Sequence, residues 1–262
     1  MTIRVGVFGA GGRMGSTACR AVAADPDLEL VVAVDPFHAG IDLRQVTGAE
    51  VAGQVAPSAD ALADAGAEVA VDFTTRDAAL ENLAWCAGHG VHAVVGTTGF
   101  SADDLDHLSR RFTDSNCFVA PNFAIGAVLM MRFAELAAPW FETAEIIELH
   151  HDRKIDAPSG TAMLTAARMA AASAQWDDDP TRTVVAEGAR GGEADGGIRV
   201  HSVRLRGLVA HQEVLLGTTG QTLSIRHDST DRNSFMPGVV LAVKSVGDHP
   251  GLTVGLDTLL GF

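Results

Sequence analysis

Residues 3–15 read IRVGVFGAGGRMG, and this stretch decides the fold. Its first part, residues 3–8, alternates branched and small side chains, which is typical of a buried parallel strand. The glycines at positions 9, 11, 12 and 15 predict a turn, and the run that follows is helix-like until Asp25-Pro26 stops it. A second strand-like run, residues 28–34, ends on Asp35. A strand, a glycine turn, a helix and a strand in this order predict a dinucleotide-binding unit.

The glycine turn and Asp35 fit the chemistry of a nicotinamide dinucleotide. Glycines allow a tight turn and a close approach of the pyrophosphate, whose charge a helix N-terminus stabilises. Asp35 can accept hydrogen bonds from the adenosine ribose. The spacing is Gly9-x-x-Gly12-x-x-Gly15 rather than a strict GxGxxG, so the glycines alone would also suit an ordinary turn. Since Asp35 repels a 2′-phosphate and residues 36–38 contain no Arg or Lys, we expect NADH to be accepted at least as well as NADPH.

Strand-like and helix-like runs continue to alternate as far as residue 120. Strands are predicted at residues 68–73, 91–95 and 117–120, with helices between them. This alternation predicts an α/β fold, a Rossmann-type parallel sheet with helices on both faces. Ligands of such sheets bind at the carboxyl ends of the strands, so the turns after three of these strands should face the cofactor. The predicted cofactor-binding residues are Gly9, Ala10, Gly11, Gly12, Arg13, Met14, Asp35, Gly96, Thr97, Thr98, Ala120, Pro121, Asn122 and Phe123.

The pattern changes after Phe123. Residues 126–138 are apolar on nearly all sides, as in a buried helix. Three strand-like runs follow, at residues 198–205, 208–216 and 221–227. They predict a second, α+β domain with an open mixed or antiparallel sheet and helices to one side. We expect a last helix and strand to return to the first domain. The predicted domains are residues 1–121 for dinucleotide binding, 122–230 for substrate binding and oligomerisation, and 231–262 as the return to the first domain.

Residues 148–162 read ELHHDRKIDAPSGTA, which places two histidines at the end of an apolar strand-like run. Ser159 is a good N-cap for the Ala-, Leu- and Met-rich helix that follows. Amides at a helix start can bind an anion, and two histidines and a lysine stand close to this one in the sequence. A His-His pair alone is more often structural or solvated, and no acidic or Cys ligand stands at a familiar metal-site spacing. The combination favours an anion-binding acid/base site without a metal, formed by His150, His151, Lys154, Gly160 and Thr161.

The composition narrows the class of protein. The chain has 262 residues, 47% of them hydrophobic, and a formal net charge of −14, which argues against binding to nucleic acids or anionic membranes. The three cysteines, Cys19, Cys86 and Cys117, form no CxxC pair and indicate a reducing compartment. A strand-like pattern begins at once, which leaves no room for a signal peptide, and no apolar run approaches the ~18 residues of a membrane span. We therefore expect a cytoplasmic protein that binds an anionic substrate at a local basic site.

With these motifs in order, the sequence closely resembles the 4-hydroxy-tetrahydrodipicolinate reductase family, also called dihydrodipicolinate reductases, of bacterial lysine and diaminopimelate biosynthesis. The resemblance covers nearly the whole chain. Its strongest element is the stretch at residues 148–161, which looks like the family signature without a gap. Residues 9–15, GTTGF at residues 96–100 and APNF at residues 120–123 also match in order.

The resemblance implies an enzyme that reduces a cyclic dicarboxylic imine with NADH or NADPH, with loss of a hydroxyl group as water. It implies that His150 is the proton donor or acceptor, that Lys154 is a second proton donor, and that the substrate carboxylates are contacted by His151, Gly160 and Thr161. The cofactor contacts that it implies are those already predicted. It also implies a homotetramer built through the sheet of the second domain. A histidine with its ordinary pKa of about 6.5 could supply the proton near neutral pH.

The sequence leaves the cofactor preference and one loop undecided. Residues 35–38, DPFH, lack the basic residue that some relatives place after the acid, so the preference between NADH and NADPH is open, and residues 181–197 have no firm counterpart. We expect three further histidines to be structural sheet residues and two arginines to be surface or interface charges: His201, His211, His227, Arg204 and Arg206. Two other functions compete. One is another nicotinamide-dependent dehydrogenase, of which a Cys-based aldehyde enzyme would need Cys86 or Cys117 beside a histidine. The other is a redox-sensing protein that binds NADH without catalysis.

Overall fold

The computed structural model describes residues 2–262, which form two compact units. The first contains the described residues up to Phe123 together with Phe235–Phe262, and the second contains Ala124–Ser234. The chain therefore passes from one unit to the other at residues 123/124 and 234/235, whereas the sequence places these crossings at residues 121/122 and 230/231.

The elements alternate regularly at first and then become richer in strands. In chain order they are β1 (Ile3–Phe8), α1 (Arg13–Ala24), β2 (Leu28–Val34), α2 (Leu43–Thr47), α3 (Asp60–Asp64), β3 (Val69–Asp72), α4 (Arg76–Gly88), β4 (His92–Val95), α5 (Ala102–Arg111), β5 (Cys117–Val119), α6 (Ile125–Ala137), β6 (Thr143–His150), α7 (Gly160–Ala172), β7 (Gly192–Glu193), β8 (Arg199–Arg204), β9 (Ala210–Thr218), β10 (Gln221–Ser229), α8 (Met236–Ser245) and β11 (Leu252–Val254). Short 3-10 turns lie at Pro36–His38, Ala138–Trp140, Asp195–Gly197, Arg232–Phe235, Val246–Asp248 and Leu256–Leu260. Among the helices of residues 2–262, none is long and apolar enough to cross a membrane.

The sheet of the first unit is parallel throughout, in the order β11-β5-β4-β3-β1-β2. Strands such as β3 and β5 are buried along their whole length, as expected when helices cover both faces. The Rossmann-type sheet predicted from the sequence is confirmed. The last strand, β11, pairs with β5, so the C-terminal segment lies in this sheet.

A short helix, α2, lies within residues 36–57, a stretch whose sequence has no regular hydrophobic periodicity. Asp42 caps this helix, and Gly48 ends it in a left-handed conformation with φ of 72°. Leu43 and Thr47 are buried. A helix of this length is unstable alone, so burial of these two side chains stabilises it, which hydrophobic periodicity in the sequence does not reveal.

The sheet of the second unit is mixed, in the order β10-β9-β6-β8-β7. β6 and β8 are parallel, and the other pairs are antiparallel. Ile146, Glu148 and Val214 are fully buried on the face that α6 and α7 cover. Side chains at alternate positions, such as Ile147 and Leu215, are half-buried and point to the other face. The predicted open mixed sheet in an α+β unit is confirmed, although the sequence did not predict the two-residue strand β7.

One prediction concerns the tight glycine turn of the first unit. A Cβ atom at Gly15 would overlap the backbone of Gly9, whereas a Cβ atom at Gly88, in the last turn of α4, would meet open space. We expect Gly15→Ala to lower the free energy of unfolding by about 1–3 kcal/mol, because backbone atoms cannot yield as a flexible side chain can. The control Gly88→Ala should be neutral or stabilising by up to about 1 kcal/mol, since alanine favours the helix. Urea unfolding of both variants measures this difference, and equal midpoints would contradict the packing argument.

Candidate active site

The turn after β1 is closed by its own hydrogen bonds and leads directly into α1. Gly9 adopts φ of 71°, which favours glycine, and its carbonyl accepts a hydrogen bond of 2.9 Å from the amide of Gly12. Gly12 is the N-cap of α1 and offers no side chain to the first turn, which contains no acidic residue. The exposed side chain of Arg13 follows directly. The first turn of α1, at the positive end of the helix and beside a basic residue, fits a pyrophosphate.

The carboxylate of Asp35 borders this turn. Its Oδ2 accepts a hydrogen bond of 2.9 Å from the amide of Gly11, and its Oδ1 accepts one of 3.0 Å from the amide of Phe37. Nδ1 of His38 lies 3.0 Å from Oδ1, and the imidazole occupies the space where a side chain at position 11 would lie. Although burial raises the pKa of Asp35, the hydrogen bonds from His38 and the two amides hold it below its ordinary value. A charged acceptor therefore stands at the end of β2, where a ribose would bind.

The turns after β3 and β4 are held together by a buried carboxylate that the sequence did not single out. Asp72, at 1% exposure, accepts hydrogen bonds of 2.9 Å from the amide of Thr74 and of 2.8 Å from its hydroxyl. It also accepts hydrogen bonds of 2.8 Å each from the hydroxyl of Thr97 and the side-chain amide of Asn82. In the sequence, the role of Asp72 is indicated only by its position at the end of a buried strand, shortly before two threonines. Thr97, a predicted cofactor contact, is thereby fixed to the turn after β3.

An aromatic contact links two more of the predicted cofactor-binding segments. A Cβ atom at Gly96 would overlap the ring of Phe73, so glycine is required for this close approach. The ring of Phe73 in turn packs edge-on against that of Phe123, with centroids 6.2 Å apart. The amide of Ala120 bonds to the carbonyl of Val95 at 3.0 Å. The turns after β3, β4 and β5 thus lie together at the carboxyl edge of the first sheet.

In the second unit, β6 ends on His150, whose imidazole contacts a buried carboxylate. Nδ1 of His150 lies 2.5 Å from Oε2 of Glu148, a residue with 0% exposure. Arg204 binds the same carboxylate through two parallel hydrogen bonds, of 2.9 Å from Nη1 and 2.8 Å from Nη2. The sequence predicts a surface or interface charge for Arg204, but its guanidinium binds a buried carboxylate, because the register of β6 and β8 sets it beside His150.

The surroundings lower the pKa of both Glu148 and His150, but for different reasons. Burial raises the pKa of Glu148, but hydrogen bonds from Arg204, Ser202 and His150 outweigh it and hold the pKa below the ordinary value. Burial lowers the pKa of His150, and the charges of Lys154 and Arg204 act in the same direction, while the carboxylate of Glu148 opposes them. The net result is a pKa of His150 below its ordinary value. The sequence suggested the ordinary pKa for this histidine, so that expectation is wrong.

The loop after β6 carries the other predicted groups. Nζ of Lys154 lies 2.8 Å from each carboxylate oxygen of Asp156, and this contact, more than any other, lowers the pKa of Asp156. Nδ1 of His151 accepts a hydrogen bond of 3.2 Å from the amide of Arg153. These bonds fold the loop back on itself, so Lys154 and His151 stay close to the end of β6.

The loop leads into α7, whose start is built as the sequence predicts. The hydroxyl of Ser159 caps the helix by accepting a hydrogen bond of 3.2 Å from the amide of Ala162. The amide of Ser159 itself bonds to Oε1 of Glu148 at 3.3 Å. Gly160 is exposed, with open space beside its Cα atom, and Thr161 follows in the same turn. The start of α7 and the His150 ring are thus joined through Glu148, which makes this edge of the unit suited to an anion that exchanges protons.

The remaining histidines and the cysteines have other surroundings. His201 lies 2.7 Å from Glu145 and His211 lies 2.6 Å from Asp228, which are ordinary side-chain contacts of a sheet. Burial raises the pKa of Cys86 to about 12 and raises that of Cys117 as well. A thiolate nucleophile at either position is therefore unfavourable. Within residues 2–262, no cluster of His, Cys, Asp or Glu is arranged to hold a metal ion.

Comparison with known proteins gives consistent results across the chain. Residues 3–123 match the family model described as dihydrodipicolinate reductase, N-terminus, and residues 126–260 match the one described as its C-terminus. The 4-hydroxy-tetrahydrodipicolinate reductase of Nocardia farcinica is 52% identical over 99% of each chain, and that of Cutibacterium acnes is 51% identical over 99% of each. Among solved structures, a dipicolinate-bound dihydrodipicolinate reductase from Paenisporosarcina superposes with a TM-score of 0.86 at 41% identity, over 98% of this chain and 99% of the other. An amine dehydrogenase from Mycobacterium smegmatis, with a TM-score of 0.69, 17% identity and coverage of 98% and 96%, shares the fold.

The geometry around His150 predicts its titration. In the folded chain we expect its imidazole to titrate below about 6.5, because burial and two neighbouring cations disfavour the charged ring. NMR titration of the histidine ring protons measures this value, with His150→Gln to assign the signal. The same chain in urea provides the control, since its histidines should return to the ordinary value. A folded-state midpoint at or above the unfolded one would contradict the expected direction.

Proposed function

This chain belongs to the dihydrodipicolinate reductase family, and we propose that it reduces 4-hydroxy-tetrahydrodipicolinate to tetrahydrodipicolinate with NADH or NADPH. The observation that carries the proposal is the buried Glu148–His150 pair beside Lys154 and the start of α7. This arrangement supplies a proton-exchanging ring, a cation and helix amides for a dicarboxylate at one edge of the second unit.

The first unit would bind the dinucleotide. The amides in the first turn of α1 and the side chain of Arg13 would hold the pyrophosphate, and Asp35 would accept hydrogen bonds from the adenosine ribose. The segments fixed by Asp72 and Phe73 would border the nicotinamide. When bound, the nicotinamide supplies a hydride to the substrate ring.

The second unit would bind the substrate and exchange the proton. The amides of Gly160 and Thr161, with His151, would hold one carboxylate, and the ammonium group of Lys154 would balance the remaining charge. After the substrate has lost its hydroxyl group as water, hydride addition at carbon leaves electron density on the ring nitrogen, which takes a proton from Nε2 of a protonated His150 or from Lys154. Because the substrate is an anion, its binding raises the low pKa of His150 and so favours the protonated ring at the moment it is needed.

Location and assembly belong to the same proposal. We infer a cytoplasmic homotetramer joined through the sheet of the second unit. The face of this sheet opposite α6 and α7 supports the inference, because it carries half-buried apolar side chains such as Ile147 and Leu215 beside polar ones. The competing functions lack comparable support: the cysteines are buried with raised pKa values, and a sensor has no need of a proton-exchanging site.

The first test is enzymatic. We expect the chain to oxidise NADH when a synthase supplies the substrate in situ, and pyridine-2,6-dicarboxylate, a flat dicarboxylate analogue, to inhibit it. His150→Gln and Lys154→Met should each lower kcat by about 100-fold or more, because each removes a proton donor. His107→Gln, on the exposed face of α5, is the matched control and should retain full activity.

Binding measurements separate the possible failures. NADH fluorescence should show unchanged cofactor affinity in all three variants, since none of these residues lies in the proposed dinucleotide site. Tight NADH binding by the wild-type chain without turnover would favour a sensing protein or another substrate. Full turnover by His150→Gln would refute the role of that residue but not the reductase activity.

A second test addresses the choice of cofactor. Asp35→Ser removes the charge that would repel a 2′-phosphate, so we expect kcat/KM for NADPH relative to NADH to rise by about five- to tenfold. Using the ratio cancels any general loss caused by the missing hydrogen bonds to Gly11 and Phe37. The control Asp64→Ser, an equal charge change at an exposed site on α3, should leave the ratio unchanged. An unchanged ratio in Asp35→Ser would show that this carboxylate does not contact the ribose.

A further inference from the structure

Three parts of the candidate site meet at Arg204. Its two Nη atoms bind the carboxylate of Glu148, which contacts Nδ1 of His150. Its Nη2 also donates a hydrogen bond of 2.7 Å to the backbone carbonyl of Asp156, in the loop that carries Lys154. The side chain of Arg204 is 20% exposed. It comes from β8, whereas His150 ends β6 and Lys154 lies in the loop after β6. One guanidinium thus bonds to the supports of both proposed proton donors.

The contact between Glu148 and His150 decides where the ring proton lies. An ionised carboxylate can only accept hydrogen bonds, so Nδ1 of the imidazole has to donate. The proton of the neutral ring is then on Nδ1, and Nε2 is the nitrogen that remains to exchange a proton with a ligand. A carboxylate in this relation to a histidine orients the ring and stabilises its charged form without itself reacting.

The carboxylate keeps this function only while it is ionised. Glu148 has no exposed surface, and a buried carboxyl group without a cation takes up a proton. A protonated Glu148 could donate to Nδ1, which would move the ring proton to Nε2 and leave no acceptor there. The two parallel hydrogen bonds from Arg204 prevent this, because they supply opposite charge in a fixed plane.

We propose that Glu148 and Arg204 are positioning residues: together they hold His150 with its proton on Nδ1 and tie it to the loop of Lys154. The proposal rests on the proposed function, in which Nε2 of His150 and the ammonium group of Lys154 face the substrate. The alternative is a purely structural role, in which Glu148 and Arg204 form a buried ion pair that only joins β6 to β8.

The same strand provides a matched control. Glu145 also bonds to a histidine and an arginine, with Oε2 at 2.7 Å from Nε2 of His201 and Oε1 at 2.5 Å from Nη2 of Arg190. It lies three positions before Glu148 and therefore points to the opposite face of the sheet. Glu148→Gln and Glu145→Gln remove the same charge from similar partners, but only the first touches His150.

The first readout is the tautomer of His150, measured by nitrogen NMR on the full chain labelled with 15N-histidine, with His150→Gln for assignment. We expect the Nδ1–H form in the wild type and in Glu145→Gln. In Glu148→Gln we expect a shift toward the Nε2–H form, because the glutamine amide can donate to Nδ1. An unchanged tautomer in Glu148→Gln would overturn the proposal.

The second readout is catalytic. We expect Glu148→Gln to lower kcat about tenfold or more at unchanged NADH affinity, and Glu145→Gln to stay within about twofold of the wild type. The charges that act on His150 are Glu148, Lys154 and Arg204, and only Glu148 raises its pKa. The limb of the kcat/KM profile that reports His150 should therefore move to lower pH in Glu148→Gln. A stability loss without a change in this limb would mean that the pair is only structural.

Arg204 is tested by a graded pair of variants, which also covers the case in which Glu148→Gln does not fold. Arg204→Lys keeps a positive charge beside Glu148, whereas Arg204→Met removes it. We expect Arg204→Lys to retain the Nδ1–H form of His150 and several-fold more activity than Arg204→Met. Equal activity and equal tautomer in both would refute the role of Arg204. If the wild type lacks reductase activity altogether, the proposed function fails, while the NMR tautomer still decides whether the pair positions His150.

Discussion

The second unit depends on one carboxylate that water cannot reach. Glu148 has no exposed surface, and an isolated carboxylate in such a place would become protonated. Arg204 prevents this, because its two parallel hydrogen bonds supply opposite charge and fix the plane of the carboxylate. The ring of His150, the start of α7 at Ser159 and the loop that contains Asp156 each bond to one member of this pair. The local geometry therefore follows from a single ion pair.

The first unit stabilises its own buried carboxylate with neutral donors. Asp72 accepts hydrogen bonds from the amide and hydroxyl of Thr74, the hydroxyl of Thr97 and the side chain of Asn82. Several neutral hydrogen bonds together satisfy the oxygens of Asp72, as the guanidinium does for Glu148 in the second unit. The origin of these donors also determines which segments Asp72 holds together. Because these donors come from two turns and a helix, the carboxylate holds the segments after β3 and β4 to one another at the carboxyl edge of the sheet.

The sequence predicted those features whose causes lie within a few residues. The glycine turn that ends at Gly15 and the cap at Ser159 depend on their neighbours, so the local pattern is enough. Arg204 was misplaced because its partner Glu148 stands 56 residues away, and a charged residue in a strand-like run is usually solvated. The pattern of residues 148–162 and the resemblance to the family both predicted the histidine and the lysine of the candidate site, but neither carried information on the charges that support them. Those supports became visible only with the pairing of distant strands.

The register and topology of the second sheet bring His150, Arg204 and the start of α7 together. β6 and β8 are parallel, and their register sets His150 beside Arg204 at the carboxyl ends of both strands. A shift of one residue would send Arg204 to the opposite face and leave Glu148 buried without its cation. A parallel pair also requires a crossover, here through α7, and a crossover helix begins near the end of the strand that it leaves. The first turn of α7 therefore lies at the same edge as His150, so a helix start and a histidine bound to a buried carboxylate become neighbours as a consequence of the fold itself.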